Sequence, residues 1–487
     1  MGDLERTGVT TASTDDVTAY IEMLNPAAAG GGVFAVENPA TTKTIAHVAD
    51  GTAVEAAAAA HTAAARFPAW AALPPRTRGE LLSRTRELML RDAEQLTALI
   101  CAENGKSHAD ARAEVEYAAE FFRWYAEEAV RSGGDYGPSP AGGTRTIVTH
   151  KPVGVAALVT PWNFPAAMAA RKIAPALAAG CTVVLKPAAE TPLTALAIAR
   201  LLEEAGVPAG VVNVVAGLDA AGIVTTWLRH PDVRKLSFTG STGVGRTLLR
   251  QAADRVLNTS MELGGNAPFI VTATADVAAA VDGAMIAKFR NGGQACTAAN
   301  RFYVHESVAE QFTADLGARV EALTVGPAQS GADVGPLISK RALAGVTDLV
   351  EQALAAGARL AYRSRPATAE GYFYSPAVVT DVPADSPLVR EEIFGPVAAI
   401  VTWSDPEQLL AMVNDTEYGL AAYVYGELGD ALRLAERIDA GMVGINRGLV
   451  SDPAAPFGGV KQSGIGREGA RAGIEEYLET RYFTIAW

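Results

Sequence analysis

Cys296 stands in Asn291-Gly292-Gly293-Gln294-Ala295-Cys296-Thr297, a thiol in a loop flanked by glycines. Two distant polar segments complement it: Pro161-Trp162-Asn163-Phe164-Pro165 and Met261-Glu262-Leu263-Gly264-Gly265-Asn266. Together they supply a nucleophile, a neutral amide donor and a carboxylate base. Those parts can form a covalent thiol adduct, stabilise its oxyanion and let water release it. A lone cysteine is by default a small buried hydrophobe. Cys181, just before a strand, and Cys101, on a helical stretch, fit that default. Asn163 also suits a helix cap before Pro165. Glu262 lies between an apolar strand and a glycine turn, where burial would raise its pKa into the range useful for a base.

The elements that must position these groups are legible from periodicity and punctuation. Residues 1–18 are polar and Thr-rich, expected to be a poorly packed lead-in. Gly51 to Glu127 reads as helical. From Val153 to Gly264, strand-length apolar runs (Val153–Thr160, Thr182–Leu185, Val211–Ala216, Lys235–Thr239, Val256–Leu263) alternate with helical segments. The helices run from Pro165 to Gly180, Pro192–Ala205, Ala220–Leu228 and Thr242–Ala253. Such alternation implies βαβ units and a parallel sheet covered on both faces, with ligands beyond the carboxyl ends of its strands. A second α/β unit follows Gly265. Its expected helices are Val277–Phe289 and Ser307–Leu323, and its expected strands include Val397–Trp403 and Ala421–Tyr425.

Gly240-Ser241-Thr242-Gly243-Val244-Gly245 falls at a strand-to-helix turn, where small residues let a pyrophosphate approach backbone N–H groups. The chain has 487 residues and a net charge of −13, with no dense basic run, which argues against nucleic-acid binding. Three cysteines and six scattered histidines suggest neither a disulfide framework nor a metal site. No signal core and no membrane-length apolar run is visible, so a cytoplasmic enzyme is expected.

These segments, with Phe238-Thr239-Gly240-Ser241-Thr242 and Glu391-Glu392-Ile393-Phe394-Gly395-Pro396, resemble the aldehyde dehydrogenase superfamily from about Glu37 to the C-terminus. The resemblance implies catalytic roles for Cys296 (nucleophile), Asn163 with the Cys296 N–H (oxyanion donors) and Glu262 (base for the hydrolytic water). It implies dinucleotide contacts at Trp162, Lys186, Ala189, Gly240, Ser241, Gly245, Leu263, Glu392 and Phe394. Relatives that prefer NAD often carry an acid where this chain has Ala189, so NADP is the preferred cofactor and NAD the other candidate. It also implies a Rossmann-like cofactor domain (1–132 and 152–263) and an α/β catalytic domain (264–465). A small β oligomerisation element (133–151 and 466–487) would build a homodimer or homotetramer.

Four stretches narrow the resemblance to the succinate-semialdehyde dehydrogenase branch: 171–182, Arg234–Ser241, Lys288–Asn291 and Gly459–Gly464. That branch implies a carboxylated aldehyde as the small-molecule partner. Arg171, Arg290 and Ser451 would hold its carboxylate, with Phe164 and Phe457 walling the channel. Arg447 and Asp452 depart from the pattern and are expected to lengthen or re-aim the pocket, which keeps glutarate semialdehyde or another aldehyde open. A catalytically silent relative and a cofactor-free thiol esterase are the readings from other classes. The intact Cys296–Glu262–Asn163 trio opposes the first, and the Ser241 loop with Glu392 opposes the second.

Overall fold

The computed structural model describes residues 14–27, 32–131, 133–367 and 370–487. Contrary to the expected lead-in, a helix already runs over α1 (Thr14–Leu24), with Val17 against the core; residues 1–13 lie outside the described part. A hairpin of β1 (Val33–Asn38) and β2 (Lys43–Ala49) follows. Thr52 and Glu55 then cap each other's backbone and open α2 (Ala53–Ala71). After it come α3 (Pro75–Arg91), α4 (Ala93–Asn104) and α5 (His108–Ala129), making the expected helical layer.

The chain next forms β3 (Tyr136–Pro138) and β4 (Thr144–Pro152), then enters a parallel sheet at β5 (Val155–Val159). Pro165 and Pro192 start α6 (Pro165–Ala179) and, after β6 (Thr182–Lys186), α7 (Pro192–Ala205); left-handed Gly180 and Gly206 end them. β7 covers only Val212–Val214, shorter than the β-branched run suggests. It is followed by α8 (Ala220–Arg229), β8 (Val233–Thr239), α9 (Thr242–Ala253) and β9 (Asn258–Glu262). The strand order is β9-β8-β5-β6-β7. The chain therefore steps outward from β5 to β7 and returns beside β5 as β8. That reversal opens a crevice at the carboxyl ends of β5 and β8, the place where doubly wound sheets receive ligands.

Leu263–Asn266 carries the backbone out of this sheet into a second one. Its elements are β10 (Ala267–Val271), α10 (Val277–Ala284), β11 (Ala299–His305), α11 (Glu306–Ala322), β12 (Arg359–Arg363), β13 (Ala377–Thr380), β14 (Val397–Trp403), β15 (Ala421–Tyr425) and β16 (Met442–Ile445). The order is β12-β13-β14-β11-β10-β15-β16, parallel except for β12. The helix expected over Val277–Phe289 changes character at its end: Met285–Phe289 is a π-helix and Arg290–Gly293 a tight turn. Such π segments often sit at functional sites. β17 (Gly464–Ile465), near the end of the stretch that the sequence groups with this second unit, instead pairs with β9 of the first sheet. The tail, β18 (Leu478–Ala486), pairs antiparallel along β4 and leaves an exposed outer edge.

Candidate active site

The site lies where the carboxyl edge of the first sheet faces the amino edge of the second. Glu262 ends β9, Asn163 follows β5, and Cys296 comes three residues before β11. A narrow cavity of about 60 Å³ has Cys296 on its wall together with Phe164, Arg171, Arg290, Ser451 and Phe457. All five residues that the sequence assigns to substrate thus line one pocket. Arg447 and Asp452 are not part of that lining. Arg447 is exposed and folds its Nε onto the Leu449 carbonyl at 2.9 Å, away from the Cys296 cavity.

The nucleophile loop is built on an unusual backbone. Asn291, Gly292 and Gly293 take consecutive left-handed conformations (φ 53, 60 and 72). Two of the three must therefore be glycine to avoid the Cβ clash, and asparagine is the residue best suited to the third. Long-range bonds hold this costly turn. Asn291 Nδ2 donates to the Asn163 carbonyl (2.9 Å), and Gln294 Oε1 accepts from the Ile338 N–H (2.9 Å). Burial pushes the Cys296 thiol up to about 12, against the pull of Arg171 and Arg290. At neutral pH the resting sulfur is a thiol, and attack requires that its proton be given up.

Asn163 is not the helix cap that its position suggested. Glu114 Oε1, from α5, accepts the Ala166 and Ala167 N–H groups at 2.8 and 3.2 Å and caps α6 from outside. Lys106 in turn donates to Glu114 (2.6 Å) and to the Asn163 carbonyl (2.7 Å). The buried Asn163 amide is left to point along the Cys296 loop, donating to the Gln294 carbonyl at 3.0 Å. Lys106, Glu114 and Asn291 were invisible as positioning residues because their partners lie 8 to 128 residues away.

Glu262 is 2% exposed, and neither carboxylate oxygen has a hydrogen-bond partner among the described residues. Desolvation, followed by the charge of Glu468, raises its pKa well above the ordinary value despite Arg171, Lys172 and Arg467. A buried carboxyl left unsatisfied is costly, and the strain is of the kind kept for proton transfer. Glu468 itself stays ionised: desolvation opposes this, but Lys172 and Arg171 outweigh it.

That pairing changes the status of the two arginines. Arg171 is 1% exposed, and its Nε makes a 2.6 Å ion contact with Glu468, off the hydrogen-bond line. Its guanidinium stacks on Phe457 at 4.0 Å. Arg290 forms no ion pair among the described residues, and its Nε is buried without a partner. It stands 5.3 Å over the Phe164 ring. The pocket therefore holds one cation that shares Glu468 with Lys172 and one with no ion pair among the described residues. Tyr117, also missed in the sequence, brings to the same lining a buried hydroxyl with no aligned partner among the described residues.

The residues expected to hold a dinucleotide gather at the carboxyl ends of β6, β8 and β9. Ser241 caps α9, its Oγ accepting the Val244 N–H (3.4 Å), and a side chain at Gly243 would meet only open space. Gly245 abuts Leu263 so closely that a Cβ there would lie 2.5 Å from its methyl, so helix-to-strand packing requires glycine. Lys186 ends β6 with its ammonium donating to the next residue's carbonyl (2.9 Å), its only hydrogen bond among the described residues, and Ala189 adds no charge beside it. Trp162 and Phe394 meet edge to face at 5.4 Å. Half-buried Glu392 accepts the Gly265 N–H (3.2 Å), and burial pushes its carboxyl up to about 7. An anion-binding helix end, an aromatic wall and a hydroxyl-accepting carboxylate together fit a nicotinamide dinucleotide.

Comparison with known proteins agrees with this geometry. The aldehyde dehydrogenase family model matches residues 27–483. A succinate-semialdehyde dehydrogenase of Paenarthrobacter nicotinovorans is 50% identical over 91% of this chain and 99% of its own length. A 3-sulfolactaldehyde dehydrogenase of Pseudomonas putida is 47% identical over 95% and 96%. The crystal structure of an NADP-dependent enzyme of E. coli superposes with a TM-score of 0.92 at 45% identity, covering 94% of this chain and 95% of the other. A Cys–Glu–Asn site at the meeting of two α/β sheets, with sequence likeness across nearly the whole length, leads to one assignment: the chain belongs to the aldehyde dehydrogenase family.

Proposed function

We propose that this enzyme oxidises short aldehydes bearing an anionic group at the far end, succinate semialdehyde first, to the corresponding acids, with NADP preferred over NAD. The single observation that carries the substrate class is Arg290: an unpaired guanidinium on the wall of a narrow pocket that also contains the thiol. Sulfonate and carboxylate substrates, as in the names of the two relatives, share that requirement. Glutarate semialdehyde is the second reading, since one more methylene changes hydrophobic binding by only about 1–3 kcal/mol.

In this mechanism the Cys296 sulfur attacks the aldehyde carbon as its proton passes to water, and the new oxyanion is held by the Asn163 amide and the Cys296 N–H. The Ser241 turn, Lys186 and Glu392 would hold a dinucleotide, which would supply the hydride acceptor needed to take the adduct to a thioester. Glu262 then takes a proton from water as the hydroxyl adds to the thioester carbon, and the sulfur leaves with the acid released. One aldehyde and one water give one carboxylate, one reduced dinucleotide and two protons. The domain roles follow: the first sheet binds the dinucleotide and the second presents the thiol. The exposed β18 edge serves assembly into a homodimer or homotetramer, and the site of action is the cytoplasm.

Two measurements test the reading. Arg290→Ala is expected to raise the KM for succinate semialdehyde about 10–150-fold, the worth of one charge-assisted pair, and to change that for propanal little. Equal losses for both aldehydes would refute the anion-clamp role. Ala189→Glu is expected to cut kcat/KM with NADP at least about tenfold, because a carboxylate there repels a 2′-phosphate, while sparing NAD. Parallel assays at fixed aldehyde decide it, and an unchanged NADP:NAD ratio would show that the phosphate does not lie at Lys186.

A further inference from the structure

The narrow pocket opens beside a much larger cleft of about 1230 Å³, lined by α5, the π-helical segment and residues 323–334. Three residues line both spaces: Asp110, Ala113 and Arg290. Asp110 is the one carboxylate at this junction. It sits in the first turn of α5, where Ser107 already supplies the cap by accepting the Asp110 N–H (3.3 Å). Its side chain instead spans 181 residues of sequence, and Oδ2 accepts the Asn291 N–H at 2.8 Å. Asn291 is the left-handed residue immediately after Arg290, so this bond locks a negative charge beside the Arg290 cation.

We propose that Asp110 is a specificity-determining residue that tunes the pocket's hold on anions, admitting a monoanionic aldehyde yet hastening departure of the dianionic acid. The inference rests on the anionic-substrate reading above and adds a reason for an acid in an anion-binding pocket. Arg290 alone would attract the product more strongly than the substrate, because oxidation adds a second negative charge. An enzyme that holds its product more tightly than its substrate is throttled as product accumulates. A fixed carboxylate at the mouth repels both anions, and repels the dianion more strongly because its second charge adds a further repulsive interaction. Geometry allows it to persist there, since the Asn291 amide fixes the carboxylate without pairing it to Arg290.

The test compares Asp110→Asn, which keeps the acceptor oxygen and removes the charge, with Asp110→Glu, which keeps the charge. For Asp110→Asn we expect the inhibition constant of succinate to fall about three- to fivefold, more than the KM for succinate semialdehyde falls. Partly exposed charge pairs are worth effects of that size. Asp110→Glu should hold both constants near wild type. A succinate inhibition constant within about twofold of wild type in Asp110→Asn would overturn the proposal. Equal shifts in the Asn and Glu variants would overturn it too, since shape rather than charge would then matter. A wild-type enzyme that neither prefers carboxylated aldehydes nor responds to succinate would remove the substrate reading itself. An unaltered constant in an otherwise selective enzyme removes the Asp110 inference alone.

Discussion

Glu262→Gln is expected to release one equivalent of reduced dinucleotide per active site in a fast burst and then to stall. The amide keeps the shape of the carboxyl but cannot take a proton from water, so the thioester accumulates. General-base catalysis contributes about 10²–10⁴-fold, and steady turnover should fall by that factor. Stopped-flow absorbance at 340 nm separates the two phases. Undiminished turnover would assign the hydrolytic base elsewhere. In the wild-type enzyme the raised pKa keeps Glu262 protonated at low pH, so hydrolysis should accelerate as pH rises through that value. The same shift carries a stability consequence. A carboxyl whose folded pKa is raised weakens the fold above its unfolded pKa, near about 4.3, and the penalty grows until the folded pKa is passed. Glu262→Gln should therefore melt higher than wild type at about pH 8, with the gap closing near about pH 4. Thermal scans at the two pH values check the sign.

Cys296→Ala is expected to abolish the burst as well as turnover, a loss of at least about 10⁴-fold, because no covalent adduct can form. Dinucleotide binding should persist, since none of the residues that fit it is altered. Retained binding by fluorescence titration distinguishes lost chemistry from lost structure. The wild-type thiol offers a companion measurement. With its pKa pushed up to about 12, the thiolate fraction in resting enzyme rises about tenfold per pH unit through the neutral range. Iodoacetamide labelling of Cys296 should follow that slope. A labelling rate flat between about pH 7 and pH 9 would mean that the resting sulfur is already ionised.

The two variants bear on different halves of one cycle. Loss of the burst marks the sulfur, and loss of the steady state marks the base. The pocket variants act earlier, on whether an anionic aldehyde reaches the sulfur at all.

Much of the architecture follows from local sequence alone. Pro165 and Pro192 begin helices, Gly180 and Gly206 end them, and Ala421–Tyr425 is a strand over the very residues that its apolar run suggested. These signals are local because a missing N–H or a left-handed φ constrains only the adjoining turn. Residue chemistry also singles out Cys296, Glu262 and Asn163, since few side chains can attack a carbonyl, move its proton or bind its oxyanion. Charge pairing is another matter. Arg171 and Arg290 look equivalent in sequence, yet Glu468 pairs with the first (and with Lys172) from nearly 300 residues away, and the second has no ion pair among the described residues. Asn163 looks like a cap until α5 brings Glu114 to the end of α6 and takes that role. Which charges stay free, and which amide remains available, depends on distances that only the packed chain sets. Coulomb and hydrogen-bond energies depend on separation in space, whatever the separation along the chain.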